Sequence, residues 1–574
     1  MDEAAAPADH ALGRSHADTP VEDIPSGSEY VLRRSEVGEL TVDAAQPLCA
    51  GLLNRLLLLT PLLALIRLRL LRLETGLLSM LTVSMLTVRR VAVLGGVACC
   101  GAPAGGGRSC PQLTPFHQRS PLPSGSGYQP AGVPPPCPSV MYVLHGSLGS
   151  GVSRMVADVG SLIIQRARLR DGRVCDILVE DGRVIRISES AGTDTERTRR
   201  PARPAVPVIE AEGRLVTESF VNGHLHLDKV YTLPRIGDAA LTAYTGAAMI
   251  DAAAGIELAR AVKADYDRSW ITPNVTRALR DAVRNGVLHI QAFVDVDTRA
   301  GLEGLYGVLS ARAQFADVLD VQVVAFPQDG LLSDPGAAAL CEEALRLGAT
   351  VVGGIPWIED GEADMAAHVE WGCALAARLG LRVAMLVDDA GDPSLRTSAL
   401  LARSMIEHGL VGRGVACHAR AVGGYPNDEQ LRLAELAREA GLGFVSDPHT
   451  GPLALPVERF LGLGVSVALG QDDINDAYYP YGRHNMLEVA FLASHLLELK
   501  TSAHQQRLLD MITGTAARVL GISGHQLAVG NAANLCIHDS EHLVDVLGEH
   551  AAPRWVISRG RIVAETEQIT HWPT

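Results

Sequence analysis

Two histidines one residue apart, His224 and His226, lie in the stretch Val221-Asn-Gly-His-Leu-His-Leu-Asp-Lys229. Side chains on a β-strand alternate faces with period two, so both imidazoles point the same way. Such a pair at a strand end supplies two ligands for a divalent ion. The bland alternative is an incidental pair with one ring buried and hydrogen-bonded. Two further residues weigh against it. His418 ends a strand-like run, Ala416-Cys-His-Ala-Arg420, and Asp472 follows another, within Gly470-Gln-Asp-Asp-Ile-Asn-Asp476. A histidine pair, a third histidine and an aspartate from separate strand ends can hold one divalent ion, zinc or iron, and position a water. Asp472 can then touch the ion and take the proton from that water.

These residues need a scaffold that brings distant strand ends together. Between about 216 and 508 the sequence alternates strand-like and helix-like segments. The opening strand carries the histidine pair. Seven more are expected at 287–294, 320–326, 350–354, 381–387, 414–418, 442–446 and 465–470, with helices such as 337–347, 364–379, 397–408 and 428–440 between them. Eight such units match a (β/α)8 barrel, whose chemistry sits at the C-terminal strand ends. Short strands flank this middle on both sides. Asp181-Gly182 between two alternating apolar runs is a strong hairpin signal, and Arg559-Gly560 is a weaker one. The expected organisation is a barrel over 216–515 and a small β-sandwich from 155–215 and 516–574.

The barrel region resembles the amidohydrolase superfamily, within it the branch of cytosine deaminase and N-isopropylammelide amidohydrolase. The resemblance spans about residues 160–566. Its landmarks are His224-Leu-His-Leu-Asp-Lys229, Val294-Asp-Val-Asp297, Ala325-Phe-Pro-Gln-Asp-Gly330, Glu342-Glu-Ala-Leu-Arg-Leu-Gly-Ala349, Val351-Val-Gly-Gly-Ile-Pro356, Gln471-Asp-Asp473, Tyr479-Pro-Tyr-Gly482 and Asn485-Met-Leu487. It implies metal-dependent hydrolysis of a C–N bond, exocyclic amine or cyclic amide, in a small heterocycle. It also implies that Gln328 contacts the heterocycle's polar edge. His418 would lie near the metal or the attacked oxygen, and Asp472 would be ligand and base.

The chain departs from the family at strand five, which normally carries a His and, three residues later, a catalytic Glu. Aligned on Asp388 and Asp392-Pro393, Leu386 stands at the His and Asp389 at the Glu. Phe293 stands where a His precedes Val-Asp-Val, and Gln471 where a His often precedes Asp-Asp. Apolar side chains neither ligate nor transfer protons. Three readings follow: a working hydrolase with Asp389 as proton shuttle, a reaction with altered metal binding that recruits Asp388, or a barrel that binds a small molecule without turnover. The intact His224, His226, Asp389 and Asp472 favour the first.

Around this set, Trp357 could stack on a flat ring or pack under a loop. Asp473 could bond the substrate or support Asp472. Gln328 offers both donor and acceptor. Asp228 and Lys229 read first as a salt bridge that orients their loop. His289 reads as a buried strand histidine, His449 as a spare ligand, and His484 with Asn485 as loop-shaping residues.

Composition bounds the alternatives. The net charge of -15 and the lack of a basic stripe argue against nucleic acid. Ten cysteines in 574 residues are no disulfide framework; Cys175, Cys341, Cys373, Cys417 and Cys536 are widely separated and suit a reducing cytoplasm. Gly105–Gly107 and Gly353-Gly354 precede no Lys-Ser/Thr phosphate-loop signature. There is no Gly-x-Ser-x-Gly elbow and no well-placed dinucleotide fingerprint. Residues 1–154 differ from the rest: polar and acidic at first, then Leu/Arg-rich, then rich in Gly, Pro, Ser and Cys. The apolar run 56–66 is shorter than the ~20 residues that cross a bilayer. This region reads as a disordered extension, a membrane-surface segment or, favoured here, translated upstream sequence, with Met141 or Met155 as natural starts. The expected partner is a small heterocyclic substrate, with neither nucleic acid nor membrane, and self-association is open.

Overall fold

The computed structural model describes residues 160–190, 206–237, 241–242, 260–448 and 455–572. The expectations placed on residues 1–154 and on His449 lie outside them.

Eight parallel strands form the central sheet in sequential order: β6 (Phe220–Leu225), β7 (Val287–Asp295), β8 (Asp320–Phe326), β9 (Val351–Gly354), β10 (Arg382–Val387), β11 (Gly414–His418), β12 (Gly443–Ser446) and β13 (Val467–Leu469). The sheet closes on itself at the site end. Leu225 bridges Asp472, the Asp472 N–H donates to the His224 carbonyl at 2.9 Å, and the His226 N–H donates to the Asp472 carbonyl at 3.0 Å. The Asn222 side-chain oxygen accepts from the Gln471 N–H at 3.0 Å. Gly223 permits this approach, since a Cβ there would lie 2.9 Å from the Leu469 carbonyl oxygen. The expected (β/α)8 barrel is therefore present, strand for strand.

Period two along the strands sorts side chains into two cores. Val221, Phe293, Val324, Phe326, Val351, Ile355, Ala384, Leu386, Val415, Cys417, Val445 and Ala468 form the barrel interior. Ala516, Ala517, Val519 and Leu520 plug its lower end. The alternate strand residues pack outward against the helices in a larger core. Helices connect the strands, among them α1 (Glu362–Leu379), α2 (Thr397–Glu407) and α3 (Asn427–Ala440).

Two four-stranded sheets flank the barrel. One has the order β3 (Arg183–Glu189), β2 (Val174–Glu180), β1 (Leu162–Arg168), β4 (Val208–Glu210). The other runs β16 (Arg561–Glu565), β15 (Trp555–Ser558), β14 (Leu535–Ile537), β5 (Val216–Glu218). They share one apolar core, which includes Ile164, Ile177, Val216, Leu535 and Ile557. Asp181-Gly182 has φ of 50° and 74°, and Arg559-Gly560 has 48° and 73°. Both pairs thus carry the two positive φ values of the hairpin turn that matches strand twist.

Three buried histidines couple this fold to pH. Burial pushes His484 down to about 4 and His538 to about 4. Burial, with His525 and Arg559 nearby, pushes His289 to about 3. An unfolded histidine titrates near ~6.5, so below that pH the unfolded chain takes up protons that the folded chain refuses. Stability should fall as pH drops from about 6.5 toward 4. His484 Nδ1 faces the Ala278 carbonyl at 3.1 Å, a contact that an asparagine amide can replace. H484N should flatten the slope of urea-unfolding free energy against pH by up to ~1.4 kcal/mol per unit; an unchanged slope would rule out His484 as a contributor.

Candidate metal centre and substrate cavity

The site is built where the strands end, and several backbones there leave the regular strand conformation. The β6–β7 pairing shifts register between Asn222 and Leu225, a bulge that re-aims the side chains that follow. Asp388, His418, Ala419 and Asp472 have φ of 47°, 67°, 48° and 61°. Non-glycine residues rarely adopt such values, and they concentrate at functional sites.

These distortions bring the four expected ligands together. His224 Nε2 lies 3.0 Å from Asp472 Oδ1, and His226 Nε2 lies 3.6 Å from the same oxygen. The His224 ring is in edge contact with that of His418, centroid to centroid 4.8 Å. His224 is fully buried, and neither of its ring nitrogens makes a well-formed hydrogen bond. A buried imidazole whose only close polar neighbour is a carboxylate shared with a second imidazole has room for a further interaction. One ligand atom each from His224, His226 and Asp472 falls within 4.8 Å of the others, as do atoms of His224, His418 and Asp447. Two imidazoles and a carboxylate suit zinc or iron(II), so these residues fit a divalent ion. Asp472 is held well below the usual carboxylate range: His418, His224 and His226 outweigh its burial. Burial, with Lys229 and His224, pushes His226 well below the ordinary histidine value, which keeps the neutral form that binds metal.

A cavity of about 60 Å³ opens beside this cluster. Gln328, Trp357, Asp389, His418, Asp472 and Asp473 line it, as do His226, Ile355, Leu386, Arg420 and Tyr478. Every substrate-side residue expected from sequence is thus at one cavity. Leu386 faces it as part of the apolar wall, and Phe293 lies against the edge of His224, ring centroids 4.4 Å apart.

Asp389 pairs with Arg420 at 2.9 Å and stands 3.9 Å from His418 Nε2. Burial pushes its carboxyl up to about 7; Arg420 opposes this, and Asp472 and Asp388 add to it. Asp388 is committed elsewhere. Its carboxylate accepts from Thr397 N at 2.6 Å, Thr397 Oγ1 at 2.7 Å and Ser398 N at 3.1 Å, at the start of α2. Those bonds tie the carboxylate to the start of that helix.

Neighbouring residues fix the rim. Lys229 pairs with Asp295 at 2.9 Å, lies 3.3 Å from His226 Nδ1 and donates to Gln328 Oε1. An ammonium only donates, so the Gln328 oxygen is turned to Lys229 and its NH2 is left for other partners. Asp228 accepts from the Tyr266 hydroxyl at 2.9 Å and the Asp295 N–H at 3.2 Å. Glu359 accepts from the Leu331, Leu332 and Ser333 amides at 2.5, 3.1 and 3.0 Å. His368 joins it at 2.7 Å while accepting from the Ile355 N–H at 3.1 Å. That knot ties the loop after β8 to the segment bearing Trp357. His289 stays mid-strand beside Asp320 and Asn534, and Asn485 caps the helix Met486–Leu496.

Sequence reasoning missed Asp447, Arg420 and Tyr478. Asp447 was legible by the rule that found the others: it follows β12, two residues after inward-facing Val445.

The comparisons with known proteins agree with this geometry. The amidohydrolase family profile matches residues 207–564. The chain belongs to the amidohydrolase family. N-isopropylammelide isopropyl amidohydrolase of Pseudomonas sp. (strain ADP) is 29% identical over 416 residues, covering 71% of this chain and 98% of the relative. Pterin deaminase of Rhizobium rhizogenes (strain K84) is 23% identical over 412 residues, covering 68% and 87%. The crystal structure of 5-methylcytosine deaminase from Klebsiella pneumoniae liganded with phosphonocytosine superposes with a TM-score of 0.64 at 28% identity, covering 72% of this chain and all of that one (100%). The expected branch of the superfamily is met by these relatives, and with it an enzyme of the C–N hydrolase type. No helix among the described residues is long and apolar enough to cross a membrane.

The Lys229–Asp295 pair is buried on both sides, with Lys263 at 3.4 Å from the other Asp295 oxygen. Removing one partner of a buried pair strands the other charge. K229M should lower the unfolding free energy by about 3 kcal/mol in urea titration; a loss under about 1 kcal/mol would mean that Lys263 alone compensates Asp295.

Proposed function

We propose that this enzyme hydrolyses an exocyclic amine or a ring amide of a small oxo-substituted nitrogen heterocycle, with a divalent ion held by His224, His226 and Asp472. The observation that carries the reading is the convergence of His224 Nε2 and His226 Nε2 on Asp472 Oδ1, beside a cavity lined by Asp389 and Gln328. When bound, a divalent ion supplies a Lewis acid that makes water acidic enough to attack at neutral pH.

The protein's own groups do the rest. Asp472 accepts the proton from the attacking water. Asp389, pushed up to about 7, exchanges its proton readily at neutral pH and in its protonated form can deliver it to the leaving nitrogen. His418, close to Asp389, faces the attacked carbon's substituent. Gln328 presents its NH2, since Lys229 occupies its oxygen, and so selects a ring oxygen or unprotonated ring nitrogen. The Trp357 Nε1–H is buried with no hydrogen-bond partner, which supports a second donor to the same substrate edge. Its indole face suits a flat ring. Asp473 takes a ring N–H. The named substrates of the relatives, an isopropyl-substituted ammelide, a pterin and a methylated cytosine, are of this class.

The test is metal content and amine or ammonia release on one preparation. The purified protein should carry about one zinc or iron, and H224A and D472A should lose both metal and turnover. D389N should keep its metal and lose ~10²–10⁴-fold in kcat. Ligand binding to metal-loaded protein without any amine release across oxo-pyrimidines, triazines and pterins would overturn hydrolysis in favour of a binding barrel, the reading that Leu386 and Phe293 favour.

A further inference from the structure

The ligand that strand five lacks has a candidate replacement two strands away. Leu386 closes the cavity wall at the end of β10 with carbon alone. Asp447, at the end of β12, is fully enclosed, and its Oδ2 lies 3.2 Å from His418 Nδ1. It forms with His224 and His418 a second set of ligand atoms within 4.8 Å of one another, and His224 is common to both sets. From this arrangement we infer that Asp447 is a ligand of the divalent ion, standing in from strand seven for the missing strand-five histidine. The inference rests on the metal-centre reading above and adds one residue to it.

Three observations carry it. The first is His224, wholly buried, with Nε2 facing Asp472 Oδ1 at 3.0 Å and Nδ1 without a hydrogen bond. The second is His418, whose ring lies 4.8 Å from that of His224, centroid to centroid, and whose Nδ1 stands 3.2 Å from Asp447 Oδ2, so that two imidazoles and a carboxylate face one space. The third is Gly470. A Cβ there would lie 2.1 Å from Asp447 Oδ1 and 2.8 Å from His224 Cβ. The missing side chain at 470 is the space into which the Asp447 carboxylate fits beside His224. Strand geometry agrees: Val445 and Ala468 point into the barrel, and so by period two do Asp447 and Gly470.

A carboxylate for a neutral histidine also changes the charge of the ligand set by one negative unit. Such a centre is harder in ligand character, and carboxylate-rich sites take manganese as well as zinc or iron.

The experiment compares metal binding in the full-length wild type, D447N, D447C and D447N/L386H, by titration into protein stripped of metal, with cobalt(II) absorption as a second readout. If Asp447 ligates, D447N binds zinc at least tenfold more weakly at unchanged circular dichroism. L386H restores part of that affinity, because it returns a ligand from the other side. Cobalt-loaded D447C then shows a sulfur-to-cobalt charge-transfer band in the near ultraviolet that the wild type, with Cys417 close by, does not show. This band reports ligation directly even if D447N fails to fold. If the wild type binds metal but D447N binds it equally well, or cobalt-loaded D447C shows no such band, Asp447 is no ligand and the His224, His226, Asp472 centre stands without it. If the wild type takes up no zinc, iron, manganese or cobalt, the centre itself fails and this inference with it.

Discussion

The seam between the first and last barrel strands governs everything at the site. Its hydrogen bonds are made by the candidate ligands themselves: the His224 carbonyl and His226 N–H pair with Asp472, and Asn222 reaches Gln471. Closing the barrel and assembling the ligand set are thus one event. A barrel that failed to close would separate two histidines from their aspartate, which lie about 250 residues apart in the chain. The price of this economy is paid in backbone strain, with Asp472 at a φ of 61°. The reward is rigidity, because the ligand side chains hang from a hydrogen-bonded ladder and not from a loop.

Strand parity explains which residues face the cavity. On β8 and β12 the interior alternation runs on past the strand, from Phe326 to Gln328 and from Val445 to Asp447; Trp357 reaches the cavity from the 3-10 turn Pro356–Ile358, and Asp472 from a backbone at φ 61°. On β6, β10 and β11 the alternation is broken. The bulge after Asn222 turns His224 and His226 inward although Val221 has the opposite phase to His224. Positive φ at Asp388 sends that carboxylate to the start of α2 and lets Asp389 enter the cavity. Positive φ at His418 turns its ring inward although Cys417 is the interior residue of β11.

This division sets what was legible in the sequence. The eight strands were legible because each is a short apolar run between turn signals, and the helices because their apolar positions repeat at helical spacing. The hairpins were legible from Asp181-Gly182 and Arg559-Gly560. The site was half legible. His224, His226, His418 and Asp472 stood out by residue type, and their convergence needed only the barrel. Residue type alone did not separate Asp388 from Asp389; the resemblance set Asp389 at the Glu, and in the structure a positive φ at Asp388 turns the two side chains apart. Arg420 was hidden because a lone arginine after a strand reads as a surface charge, yet here it is buried against Asp389. Asp447 was overlooked beside the more conspicuous His449, although period two from Val445 points straight to it.

The charge in the cavity is the last constraint. Asp389, Asp472 and Asp473 line it with Arg420, and Asp447 is buried behind them against His418. Burial raises Asp447 and Asp473 well above the usual carboxylate range, with Asp472 adding to both. A protein that gathers four carboxylates in a low-dielectric space must neutralise them with protons or with a cation. A divalent ion would answer the buried imidazole, the carboxylate excess and the strain together, and the proton left on Asp389 would be the one available for chemistry.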